Sequence, residues 1–212
     1  KFDAPTTYFM ARFKAPALKD EDYAPLTIAV EILGNRLFEE VRTKRALTYS
    51  VSASLGSSLS NSGVLYVSST QIPEAVKVIY DEVKRIQTEL VPAEDLRNQV
   101  SKFISSWWMG REAPMSQARI FNYYEISGLG WAKSNMFLER IQRTTAEQVR
   151  AAAQKYLKDY TVSMVGPQSI DVRDLIPGMI KLEGTSTSSP VLDLPPSKLQ
   201  PSATHKSHFS LG

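Results

Sequence analysis

Few residue types in this sequence could carry covalent or acid–base chemistry. There is no cysteine, and the two histidines are His205 and His208. Thiol nucleophiles, disulfides and zinc–thiolate centres are therefore excluded. With neither residue type before position 205, a self-contained zinc site or a Ser-His-Asp triad has no place in the core. His205-Lys206-Ser207-His208 sits among serines and prolines and reads as a solvated tail.

What remains is one dense polar segment, Glu39-Glu40-Val41-Arg42-Thr43-Lys44-Arg45, with Tyr49 seven residues beyond Arg42. An arginine keeps its charge and offers several donors in a fixed fork. A tyrosine hydroxyl can donate while neutral at pH 7. Plainer roles exist for each residue. Arg42 could end a helix, favoured by the dipole and by Glu39, and Tyr49 could be the ordinary rim of a strand. Glu40 is spaced to pair with Arg36 or Lys44 on a helix surface. Trp107, Trp108 and Trp131 lie on apolar helical stripes and are expected in the core. Gly128-Leu129-Gly130 has no preceding strand and no following Lys-Ser/Thr, so it is not a phosphate loop.

The elements that must hold this segment follow from periodicity. Tyr8 to Lys14 reads as a strand ended by Pro16. Leu26, Ala29, Ile32 and Leu33 recur at helical spacing, Gly34-Asn35 is expected to break that helix, and Arg36 to Lys44 restarts it. Tyr49, Val51, Ala53 and Leu55 alternate with serines, as in a strand with one wet face. Asn61-Ser62-Gly63 reads as a turn into a second strand, Val64 to Thr70, giving a hairpin. Helices are expected from Pro73 to Leu90, from Pro92 through Trp107, over Ser116 to Ile126 and over Ser134 to Gln142. Thr145 and Gln148 have capping-box spacing and open another helix to about Lys158. Tyr160, Val162 and Met164 alternate in a last strand stopping at Gly166-Pro167. The order is written β-α-α-β-β-α-α-α-α-β, an α+β fold with an antiparallel sheet covered on one face by helices.

The chain has 212 residues, 42% hydrophobic and 22% charged, which suits a globular protein. From Gly184 onward it holds four prolines, seven serines and three threonines, too little apolar surface to offset ordering entropy. The expected division is a domain over 1–183 and a Ser/Pro-rich tail or linker over 184–212. A net charge of +3, spread along the sequence, offers no phosphate-neutralising stripe, so nucleic acid is not an expected partner. No membrane span is legible.

The segment Leu33-Gly34-Asn35-Arg36-Leu37-Phe38-Glu39-Glu40-Val41-Arg42 to Tyr49-Ser50-Val51 resembles the Arg/Tyr signature of the non-catalytic, C-terminal half of M16 (insulinase, or processing-peptidase) metallopeptidases. The likeness extends in element order to Pro167 and includes Glu139-Arg140-Ile141-Gln142-Arg143-Thr144-Thr145. The family's zinc motif, His-x-x-Glu-His, belongs to the other half and is absent here. The resemblance implies an M16 (LuxS/MPP-like) half-domain that binds no cofactor itself, with zinc in the catalytic half. It implies Arg42 and Tyr49 as substrate-binding residues, with Tyr49 donating in trans to the oxyanion of a peptide bond under attack. Implied partners are a His-x-x-Glu-His half, in the same parent chain or a separate subunit, and a peptide substrate; a homodimer stays open. The lean is to a bacterial protein, periplasmic or cytoplasmic. An alternative is a catalytically inactive structural or assembly subunit of the same fold, and a third reading is a peptide-binding module using a sheet edge. By itself the chain is expected to hydrolyse nothing.

Overall fold

Alternation at the start of the chain builds an inner strand of the sheet. A computed structural model describes residues 5–167 together with Leu175. The Ser/Pro tail, its boundary at 183/184 and His205/His208 lie outside the described residues. Strand β1, Thr7–Ala15, buries Thr7, Phe9, Ala11 and Phe13 and turns the intervening residues outward. It pairs antiparallel with β3, Asn61–Ser69, placing Phe9 beside Val67 and Ala11 beside Leu65. β2, Ser50–Leu55, pairs antiparallel with β3, and β4, Thr161–Val165, with β1, so the sheet order is β2-β3-β1-β4.

Helix α1, Tyr23–Leu37, is apolar on nearly every side and buried accordingly, as expected for a helix at the centre of a core. It lies against β2 and is flanked by α2, Ile72–Thr88, and α6, Ala146–Tyr156. α3, Ala93–Met109, α4, Pro114–Ile126, and the short α5, Met136–Gln142, form an outer group. α5 follows a 3₁₀ turn at Trp131–Asn135. The expected α+β architecture is present: an antiparallel sheet with helices on one face. Five α-helices separate β3 from β4, one more than the written order. The expected capping box opens α6: the Gln148 amide donates to Thr145 Oγ1 at 3.3 Å, and the Thr145 amide to Gln148 Oε1 at 2.9 Å.

Three local expectations are corrected. Gly34-Asn35 does not break α1, which runs on into a π-helical turn at Phe38–Lys44. A Cβ at Gly34 would meet Ala53 of β2 at 3.5–3.9 Å, ordinary packing contact, so the position accommodates helix and does not require a break. Asn35 reaches across to Gln99 at 2.7 Å. Asn61-Ser62-Gly63 is the first part of β3 and not a turn, because Gly63 sits opposite Phe13 and leaves room for its ring. The chain reverses over residues 56–60 instead. Trp107 packs against the core, but Trp108 and Trp131 are more than half exposed. Trp131 meets only the edge of the Phe121 ring of α4, at 5.7 Å, and keeps most of its own surface outward.

Candidate functional site

Arg42 and Tyr49 come together at the junction between the π-helical turn and β2. The junction is held from both ends. Leu47 is buried, its amide donates to the Val41 carbonyl at 2.9 Å, and its carbonyl accepts the Ser69 hydroxyl at 2.5 Å. The Ala46 amide donates to the Arg42 carbonyl at 3.1 Å. Ala46 adopts φ 50°, the left-handed geometry that closes many helices. Thr48 Oγ1 accepts the Ser50 amide at 2.9 Å and hydrogen-bonds the Ser68 carbonyl, stitching the entry of β2 to the end of β3. Tyr49 therefore projects from fixed backbone, while the residue as a whole is 83% exposed.

The Arg42 guanidinium carbon lies 4.8 Å from the ring centroids of both Phe38 and Tyr49. Both are cation–π distances. Such contacts engage the faces of the guanidinium plane and leave its N–H edge available to acceptors. The rest of the basic cluster is committed elsewhere. Glu40 pairs with Lys44 at 2.7 Å and Arg45 at 2.5 Å, and Arg45 also donates to the Glu40 carbonyl at 2.8 Å. Hydrogen bonds from Lys44 and then Arg45 hold the Glu40 carboxyl down to about 2. The expected surface pairing of Glu40 is present with Lys44 and Arg45, not with Arg36. Arg42 has no carboxylate partner among the described residues, and the Tyr49 hydroxyl has no hydrogen-bond partner among them. What results is an exposed hydroxyl donor beside a steadied cation, a pair able to meet carbonyl oxygen.

Sequence reasoning had not given Phe38 a role, although its position four residues before Arg42 is a helical contact spacing. The stapling hydroxyls of Thr48 and Ser69 carried no comparable signal, since Ser69 is distant in sequence. Among the described residues no cluster of three His, Cys, Asp or Glu side chains could hold a metal.

The same segment lies inside a family match. Residues 1–103 match the model of the Peptidase M16 inactive domain. Over those residues the chain is similar to an M16 peptidase inactive domain. A zinc protease of Streptomyces coelicolor, itself uncharacterized, is 28% identical over 143 residues, covering 64% of this chain and 30% of that protein. The chain thus spans under a third of that relative. A solved peptidase M16 inactive domain from Pseudomonas fluorescens shares the fold at a TM-score of 0.71, with 21% identity over 79% of this chain and 42% of that one. The periplasmic protease PqqL of Escherichia coli does so at 0.65, with 16% identity over 79% of this chain and 20% of that one. At these identities the solved structures establish the M16 fold. Among the described residues of the M16 domain, no helix is long and apolar enough to cross a membrane.

Proposed function

We propose that this M16 domain is the substrate-binding, non-zinc half of a zinc metalloendopeptidase, working with a His-x-x-Glu-His half that lies in the same parent chain or in a partner. The carrying observation is the exposed stack of Phe38, Arg42 and Tyr49, in which one cation is held by rings while Lys44 and Arg45 are taken up by Glu40. Zinc in the catalytic half would supply Lewis-acid chemistry there. This chain's residues do the rest. As an amide carbonyl is attacked, its oxygen gains negative charge, and a preorganised donor lowers the barrier by meeting that charge. Tyr49 donates its hydroxyl to this oxygen and keeps its proton. Arg42 grips a neighbouring substrate carbonyl with the free edge of its fork, while the rings hold the guanidinium in place. A purely structural subunit has no use for an exposed hydroxyl on a stapled junction, which favours the peptidase reading over the assembly-subunit alternative. The bacterial sources of the relatives fit a bacterial protein, and the periplasmic PqqL favours that compartment.

The test is reconstitution with the catalytic half and a peptidase assay. Tyr49→Phe keeps the ring on Arg42 and removes one donor, so kcat should fall about 10²–10³-fold with little change in KM. Arg42→Lys keeps the charge and loses the fork, so it should chiefly raise KM. A Tyr49→Phe enzyme with kcat within about twofold of the parent and unchanged melting would sink the oxyanion role.

A further inference from the structure

Tyr49 has few interactions of its own to aim it. Most of the residue is exposed, its hydroxyl has no hydrogen-bond partner among the described residues, and its ring rests on the Arg42 guanidinium at 4.8 Å. An exposed side chain that rotates freely is a poor donor unless the backbone beneath it is fixed. The chain bends at Tyr49 before β2 begins. The aim of the hydroxyl is therefore set by the residues on either side of that bend.

Two hydroxyls hold those residues. One step past the Leu55–Gly63 pair of the β2–β3 ladder, the Gly56 amide donates to the Ser62 carbonyl at 2.9 Å. Counting back by twos along an antiparallel ladder, Ser50 and Ser68 form another pair whose N–H and C=O groups face each other. Thr48 Oγ1 sits on that rung. It accepts the Ser50 amide at 2.9 Å, and its one proton serves the Ser68 carbonyl and, at 2.9 Å, the Ser50 carbonyl. A threonine hydroxyl that accepts the amide two residues on closes a tight turn. Tyr49 is the central residue of this one. The preceding residue is fixed as well: the Leu47 carbonyl accepts the Ser69 hydroxyl at 2.5 Å, and Ser69 Oγ in turn accepts the Gln71 amide at 2.8 Å. Ser69 is buried, so this second anchor is shielded from water.

We infer that Thr48 is a positioning residue. Its hydroxyl closes the turn centred on Tyr49 and so sets both the direction of the Tyr49 hydroxyl and the contact of its ring with Arg42. Without that hydroxyl, the Ser50 amide and the Ser68 carbonyl are free to bond each other directly, the turn opens, and Tyr49 takes the aim of an ordinary strand residue. The threonine methyl has no part in these hydrogen bonds, so serine can stand in for it. The effect on turnover rests on the peptidase reading above; the effect on the ring does not.

The experiment compares Thr48→Val, Thr48→Ala and Thr48→Ser by two readouts. The first is ¹⁵N NMR of the whole 212-residue chain. The Arg42 Nε–H signal, assigned by its loss in Arg42→Lys, carries the ring-current shift of Tyr49, and Tyr49→Ala gives its position without that ring. Thr48→Val and Thr48→Ala should move the signal most of the way to the Tyr49→Ala position, and Thr48→Ser should leave it in place. The second readout is the reconstituted peptidase. There Thr48→Val should lower kcat about 10–100-fold with KM nearly unchanged, and Thr48→Ser should stay within about twofold of the parent. On a Tyr49→Phe background, Thr48→Val should cost no more than about twofold further, because the group it aims is gone; a merely structural threonine would multiply the two losses. An Arg42 signal unmoved by Thr48→Val and Thr48→Ala overturns the proposal. Where Tyr49→Phe alone slows the enzyme, a full further loss from Thr48→Val overturns it too. If the signal moves as expected while Tyr49→Phe leaves kcat unchanged, the positioning of Tyr49 stands and the peptidase reading fails. Valine and alanine differ in bulk at this half-buried position, so either one decides the matter if the other fails to fold.

Discussion

Adding one methyl group at Gly63 should test the pairing of β1 with β3 more sharply than any surface change. Gly63 faces Phe13 across the ladder, and Phe13 is 2% exposed. A Cβ built at Gly63 would lie 2.5 and 2.7 Å from Phe13 Cε2 and Cε1, and closer still to Cζ. Comfortable carbon–carbon separation is about 3.5–4.0 Å, so the ring would have to retreat by roughly 1 Å or more. Its retreat is blocked by Tyr160, which meets it edge-on at 5.9 Å. Overpacking of this kind costs about 1–3 kcal/mol, against roughly 0.5–1 kcal/mol regained by replacing a strand glycine. Gly63→Ala should therefore lose about 1–2 kcal/mol, or about 2–8 °C in Tm for a domain of this size. Calorimetry of the single variants and of Gly63→Ala/Phe13→Leu gives the coupling between them. The double variant should be more stable than the two single losses predict, because the shorter leucine gives the new methyl room. A Gly63→Ala Tm within 1 °C of the parent, or strictly additive losses, would mean that Gly63 does not face Phe13.

Other expectations can be checked on the same material. Glu40 should titrate near pH 2 by ¹³C NMR, well below an ordinary carboxyl; because its folded value is lowered, the stability it adds is complete above about pH 4.5 and fades as pH falls toward 2. An ordinary midpoint would refute the clasp with Lys44 and Arg45. Thr145→Ala removes the capping box of α6 and should lower stability by about 1 kcal/mol in urea melts; no loss would refute the cap. Tyr160 carries a buried hydroxyl with no partner among the described residues, and burial raises its pKa. Tyr160→Phe should thus leave stability unchanged or raise it by up to about 1 kcal/mol, and a clear loss would reveal a partner for that hydroxyl.

Where residue spacing alone decides structure, the sequence was legible. The strand over Tyr8 to Lys14 and the Thr145–Gln148 capping box each rest on residues a few positions apart, and both are present. A short junction also sets Arg42 beside Tyr49, its guanidinium carbon 4.8 Å from the ring centroid. The errors arose where a distant partner overrides a local habit. Gly34 and Gly63 are turn formers by propensity, yet Gly34 packs inside α1 against Ala53 of β2, and Gly63 faces Phe13 so closely that a side chain would crowd it. Asn35, another residue that favours loops, is held in α1 by Gln99 from a separate helix. Trp108 and Trp131 show the converse. A periodic stripe marks a helix face, but only the folded neighbours settle which face is covered.

The wide turn between α1 and β2 has a consequence for how this segment can evolve. α1 is fixed in the core at Leu37, and the junction is fixed ten residues later at Leu47. Between these anchors the π winding takes up more residues per turn than an α-helix holds. Removing one residue here would force the turn toward α geometry and swing the side chains on one side of the deletion by about 100° relative to the other. Arg42 would then leave Tyr49 although every side chain of the stack was still encoded. The identity of many positions in this stretch can drift, but its length is constrained: the number of residues from Leu37 to Leu47 sets the aim of Arg42.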